Sequence, residues 1–131
     1  MIVSYLLTLL WLVLFKFSID LVAVADVHVR SLNMIPFAGL SDHLREMIDN
    51  FVVFVPFGLL LSVNFKRINM WQKLTCIFSF SVAAEAIQFV FAIGVTDITD
   101  IITNTLGGLF GLMLYALGGR YVDAEKQDRF V

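Results

Sequence analysis

The stretch TDITDIITNTLGG, Thr96 to Gly108, sets Asp97, Asp100 and Asn104 before and inside an apolar run that ends in paired glycines. A second pair, Glu85 and Gln88, stands in AAEAIQF, and a helix presents residues three apart on one face. Carboxylates beside carboxamides suit two kinds of chemistry. A carboxyl screened from water must find hydrogen-bond partners or hold a proton, which makes it a candidate acid or base. Asp97, Asp100, Asn104 and Glu85 also offer hard oxygen ligands, so a divalent cation is conceivable. No Ser–His or Cys–His arrangement is legible. The one cysteine, Cys76, sits in an apolar block and reads as a small hydrophobe; disulfide frameworks and cysteine-based zinc sites are excluded within one chain.

Drawn as a helix, Asp97, Asp100, Asn104, Gly107, Gly108 and Gly111 share an arc of about 100°. Gly107 and Gly111 have the spacing that lets two helices approach closely. This stripe is therefore expected to face another helix rather than lipid, with the glycines as packing residues. Asp97 and Asp100 lie at the helix start, where the dipole favours an anion by about 0.3–1 kcal/mol. Capping by itself accounts for Asp97. It accounts less well for Asp100 with Asn104, which lies a turn deeper. Glu85 falls on the order of 13 Å inside its own apolar block. An ionised carboxylate at mid-bilayer costs roughly 2.5–3.5 kcal/mol on insertion scales, so such a residue is a functional candidate by default. The structural alternative is a buried hydrogen bond between helices.

The segment SDHLREMIDN, Ser41 to Asn50, reads as a short amphipathic helix leading into an apolar block. Ser41 is a plausible N-cap with Asp42 in the first turn, and Leu44, Met47, Ile48 and Phe51 form its apolar side. His43 and Asn50, seven residues apart, fall on nearly one face. Pro56 removes one N–H and frees the carbonyl of Val52, which predicts a kink near Gly58. Glu85, Gln88, Asp97, Asp100, Asn104, Asn50 and His43 or Arg45 are together expected to line one pocket.

Positioning these groups falls to membrane-spanning helices. The chain has 131 residues, 60% hydrophobic and 15% charged, whereas soluble domains carry about a quarter charged residues. The expected fold is an all-α integral membrane protein with a single domain over residues 1–131. A net charge of −2 without a basic stripe excludes nucleic acid as a partner. Four blocks are long enough to cross about 30 Å of hydrocarbon: about Ile2 to Ala25, Ile48 to Phe65, Trp71 to Gly94 and Ile98 to Gly118. Ala23-Val24-Ala25 faintly resembles a signal-peptidase site, but no Lys or Arg precedes the first block, which is read as a retained span. The short connection Lys66–Lys73 carries three positive charges and no negative one. The positive-inside rule places it in the cytoplasm. Both termini then lie inside, and the amphipathic helix and the Thr96–Asp100 connection lie outside. The polar residues 120–131 read as a tail that frays.

The sequence also resembles the VanZ-like family. The resemblance rests on NMIPF at Asn33–Phe37, Asn50 with VPFG, Glu85-x-x-Gln88, and Asp97-x-x-Asp100 followed by NTLGG, in this order. It covers roughly Asn33 to Tyr115. It implies a small helical protein of the bacterial cytoplasmic membrane. The family's namesake is associated with resistance to teicoplanin, a lipid-bearing glycopeptide, and no established reaction comes with the resemblance. Three functions stay open. One is binding or shielding of an amphiphilic envelope lipid or lipoglycopeptide through a polar pocket at the outer leaflet. Another is a membrane-embedded enzyme acting on a lipid-linked envelope intermediate, with Glu85 or Asp100 as acid/base and Asn104, Gln88 and Asn50 orienting the head group. The third is a carrier or flippase, which four helices would build most readily as a homo-oligomer.

Overall fold

The computed structural model describes residues 3–5, 7–9, 31–37, 40–91 and 95–128. Its elements are a strand β1 (Ser31–Asn33), a helix α1 (Leu40–Asn64), a helix α2 (Met70–Phe91), a strand β2 (Val95–Asp97) and a helix α3 (Ile98–Asp128). Residues 3–5 and 7–9 are also helical. The rest of the expected first span lies outside the described residues. Stretches of 22 residues in α1, α2 and α3 are long and apolar enough to cross a membrane.

Several expectations change. The amphipathic segment is not a separate helix. It continues into the apolar block as one 25-residue helix, which starts at Leu40 rather than near Ile48 and runs on through Pro56. An apolar environment makes this understandable, because breaking a helix there exposes backbone groups with no water to satisfy them. Residues 120–128 are helical and extend α3 to Asp128. The fold is not purely helical either. β1 and β2 pair in parallel, with Ser31 opposite Val95, Leu32 opposite Thr96 and Asn33 opposite Asp97.

This strand pair fixes the arrangement of the helices. Each strand leads into a helix at the same end of the bundle, so α1 and α3 start side by side and run parallel, with α2 returning between them in sequence. The glycines show the same direction. A Cβ on Gly107 would collide with the backbone of Phe51, one on Gly111 with the backbone of Val55, and one on Gly58 with Gly108 and Leu112. Contact positions rise together along both helices. Gly58 is thus a point of backbone contact, where the sequence suggested only a kink. Gly108 instead faces α2, where a Cβ would meet the side chain of Ile77.

The ends of the helices are set locally. Asn64 Nδ2 donates to Leu60 O at 2.8 Å where α1 stops. Asn69 and Gln72 form a reciprocal box at the start of α2: Gln72 N donates to Asn69 Oδ1 at 2.9 Å, and Asn69 N donates to Gln72 Oε1 at 3.0 Å. Asp97 Oδ1 accepts Thr99 N at 2.7 Å and caps α3. The apolar core contains Phe54, Phe57, Leu61, Ile77, Ala84 and Leu112. The Phe57 and Phe80 rings lie 5.2 Å apart. Leu9 is buried in this core and Tyr5 Oη donates to Val53 O at 2.9 Å, so the helical N-terminal residues dock on α1. Only 33%, 28% and 33% of these three apolar stretches is buried, which leaves most of their apolar surface turned outward, as helices in lipid would require.

Candidate functional site

The polar residues of the core collect toward the strand-bearing end. On α2, Ser81, Glu85 and Gln88 are all buried, and their spacing of four and three puts them on one face. Thr99, Asp100, Thr103 and Asn104 on α3 are buried in the same way, as is Asn50 on α1. An apolar interior tolerates this density only where the groups satisfy one another.

The described hydrogen bonds show how they do so. Asn50 Nδ2 donates to Asp100 Oδ1 at 2.7 Å, which joins α1 to α3 inside the core. Glu85 Oε2 accepts the backbone N–H of Asp97 at 3.1 Å, tying α2 to β2. Asn104 Nδ2 donates to Ser81 Oγ at 3.0 Å and joins α3 to α2. Asn33 Nδ2 donates to Asp97 Oδ2 at 2.9 Å, so the carboxylate that caps α3 also holds β1. Phe37 has a left-handed backbone, φ 59°. Its N–H donates to Thr99 Oγ1 at 3.0 Å, and that bond helps hold a conformation which costs a non-glycine residue about 1–3 kcal/mol. Thr103 Oγ1 turns back to Thr99 O at 3.0 Å and to Asp100 O at 3.2 Å, within its own helix.

Glu85 is 2% exposed, Asp100 3% and Asn104 fully buried. Two acceptor atoms of this set, Asn104 Oδ1 and Thr96 Oγ1, are buried without a hydrogen-bond partner. A buried acceptor left unmatched costs about 1–3 kcal/mol, so these are places where a donor from elsewhere would be favoured.

Of the residues singled out in the sequence, Glu85, Gln88, Asp97, Asp100, Asn104 and Asn50 all lie at the contacts of α1, α2, α3 and the strand pair. His43 does not. It is exposed, and its Nδ1 lies 3.2 Å from Glu46 Oε2 on its own helix. Arg45 is exposed as well and lies 3.9 Å from Asp49. Asn50 meets Asp100 in the first turn of α3, and His43 stands two helical turns earlier on α1. Sharing a helical face with Asn50 does not bring it into the polar core; its partner is Glu46 on its own helix. Among the described residues no three His, Cys, Asp or Glu side chains converge as a metal site, so the conceived divalent cation gains no support from the geometry.

The sequence reasoning missed Ser81, Thr99 and Thr103 and gave Asn33 no role in the site. Ser81 was detectable, being four residues before Glu85 on the same face. Thr99 and Thr103 precede Asp100 and Asn104 by one residue each and so fall about 100° away, outside the stripe. Asn33 carried no local signal, because its partner Asp97 is far away in the chain.

Long apolar helices packed through glycines around buried carboxylates and carboxamides define a helical membrane protein with a polar core at one end. The chain matches the VanZ/LLP1 family over residues 2–119 and belongs to it. Protein VanZ of Enterococcus faecium is 51% identical over 127 residues, covering 97% of this chain and 78% of that protein. No solved structure matches the chain.

Proposed function

We propose that this protein holds an amphiphilic envelope lipid or lipoglycopeptide by its polar head, at the strand-bearing end of the bundle, and thereby contributes to tolerance of teicoplanin. In this reading the chain is a multi-pass protein of the bacterial cytoplasmic membrane, with four spans and both termini in the cytoplasm. Parallel pairing of β1 with β2 supports that topology, since it gathers the first and third connections at one end. The basic connection Lys66–Lys73 lies at the opposite end.

The observation that carries the reading is the pair of buried, unmatched acceptors, Asn104 Oδ1 and Thr96 Oγ1, within a polar set. They suit hydroxyl or amine donors of a head group, while the outward apolar faces of the helices suit its hydrocarbon part. The burial of Glu85 and Asp100 equally favours a second reading, an enzyme using one of them as acid/base on a lipid-linked intermediate. Both carboxylates already accept hydrogen bonds from Asp97 N and Asn50 Nδ2, and this favours a holding role.

One experiment separates the two. A deletion strain is complemented with wild type, Glu85→Gln or Asp100→Asn, and teicoplanin tolerance, membrane level and envelope lipid profile are measured together. Holding predicts lost tolerance with an unchanged lipid profile. A lipid species that appears with wild type and vanishes with both variants transfers the assignment to an enzyme. Full tolerance in both variants at normal membrane levels removes the polar core from function altogether.

A further inference from the structure

The opposite end of the bundle has its own chemistry. The turn between α1 and α2 carries Lys66 and Arg67, both exposed, and Lys73 follows in the first turn of α2. None of the three has an acidic partner among the described residues; the ion pairs found are His43–Glu46 and Arg45–Asp49, both near the start of α1. The acidic side chains described, Glu46, Asp49, Glu85, Asp97 and Asp100, belong to the other half of the molecule. The first turn of α2 holds no acidic residue either. Among the described side chains, these three positive charges therefore stand together with no counter-charge.

The turn is also shaped. Val63, Asn64, Phe65, Lys66, Arg67 and Ile68 line a hollow of about 430 Å³. Its two sides are fixed by the bond from Phe65 N to Leu61 O at 2.9 Å and by the Asn69–Gln72 box. Trp71 is 76% exposed, and Phe65 and Met70 are exposed beside it. Aromatic and apolar side chains at the level of a cation cluster mark the depth where acyl chains meet head groups.

We propose that this basic turn is a binding site for the head group of an anionic phospholipid, with Lys66, Arg67 and Lys73 meeting its phosphate and Trp71 lying against its acyl chains. The partner is a lipid of the leaflet that surrounds this end. Charge complementarity selects an anionic lipid over a zwitterionic one, whose amine would be repelled by the same three cations. The proposal goes beyond the function proposed for the polar core, which lies at the other end, and stands or falls without it.

Trp71 supplies the reporter. The full chain carrying Trp11→Phe, which leaves Trp71 as the sole tryptophan, is reconstituted into phosphatidylcholine vesicles. Brominated phosphatidylglycerol or brominated phosphatidylcholine is then added at equal mole fraction, and quenching of Trp71 is compared. The site predicts selectivity for the anionic lipid on the order of tenfold at low salt, falling toward parity in about 1 M NaCl. Lys66→Gln/Arg67→Gln/Lys73→Gln brings it to parity, whereas Lys66→Arg/Lys73→Arg, which keeps the charge, retains it. If the triple variant is not recovered folded, single Lys66→Gln and Arg67→Gln variants each lower the selectivity stepwise. Equal quenching by the two lipids in the parent protein overturns the proposal. So does full selectivity in the neutralised variants.

Discussion

The contact between α1 and α3 has two halves built on different physics. Toward the strands, Asn50 reaches Asp100 and the helices are joined by side-chain hydrogen bonds. Further along, Gly107 and Gly111 bring α3 onto the backbone of α1 at Phe51 and Val55, with no side chain between. The glycine half has no tolerance for added volume. The polar half has room for side chains but no tolerance for a missing partner. Between apolar helices in an apolar solvent, close backbone packing supplies the association that water would otherwise drive. The glycine half therefore holds the bundle together, and the polar half is left free to carry chemistry.

The largest effect is expected at the glycines. Gly107→Val and Gly111→Val place atoms inside the backbone of α1, and the loss is expected at or above the top of the ~1–3 kcal/mol range for overpacking. Gly118→Ala, with nothing within 4 Å of the added carbon, should be neutral or slightly stabilising. Resistance of the purified protein to unfolding in denaturing detergent measures both. Equal behaviour at positions 107 and 118 would remove the glycine seam from the account.

Next comes the Asn50–Asp100 bond. Asn50→Leu removes the buried hydrogen bond that Asp100 Oδ1 accepts and should cost about 1–3 kcal/mol. The double variant Asn50→Leu/Asp100→Leu should recover part of that loss. Strictly additive losses would show that the two residues are not coupled, whatever their separation.

Asp97→Ala should cost about 0.5–2 kcal/mol through the lost helix cap. It also releases Asn33 and loosens the start of α3, so faster hydrogen exchange is expected at Phe37, whose N–H donates to Thr99 Oγ1, than in Asn33→Ala alone. The smallest effect is reserved for His43→Ala, expected within about 0.5 kcal/mol and without consequence for drug tolerance, as befits an exposed side chain. A phenotype at His43 as strong as that of Asp100→Asn would redraw the boundary of the site.

The topology is open to a direct check as well. In a Cys76→Ser background, which removes the exposed native thiol, Met34→Cys should react with an impermeant thiol reagent from outside intact cells. Lys66→Cys should react only after permeabilisation. Both positions are exposed, unlike Thr96, whose burial makes it a poor reporter.

Much of the site was legible from periodicity. Glu85 with Gln88, and Asp100 with Asn104, were expected to be shielded because each pair repeats at helical spacing within an apolar block. Their partners were not legible. His43 and Asn50 share a face by the same arithmetic, yet Asn50 is buried against Asp100 while His43 is exposed beside Glu46. Ser81 looked like any small residue in a span until Asn104 was found beside it. The strands escaped notice because three residues each, Ser31–Asn33 and Val95–Asp97, are too short for an alternating pattern to stand out.

By itself the sequence determined the class of protein, the three long apolar helical blocks and the stripe on α3 that unites acids, carboxamide and glycines. These are local properties, fixed by composition and by a repeat of 3.6 residues. Only the tertiary structure decided that α1 and α3 run parallel, that Phe51 meets Gly107, that Asp97 binds both Thr99 and Asn33, and that His43 is left outside. Each of these relates segments far apart in the chain. Such relations are set by how closely two backbones can approach and which buried polar atoms then face each other, and helical periodicity is silent on both.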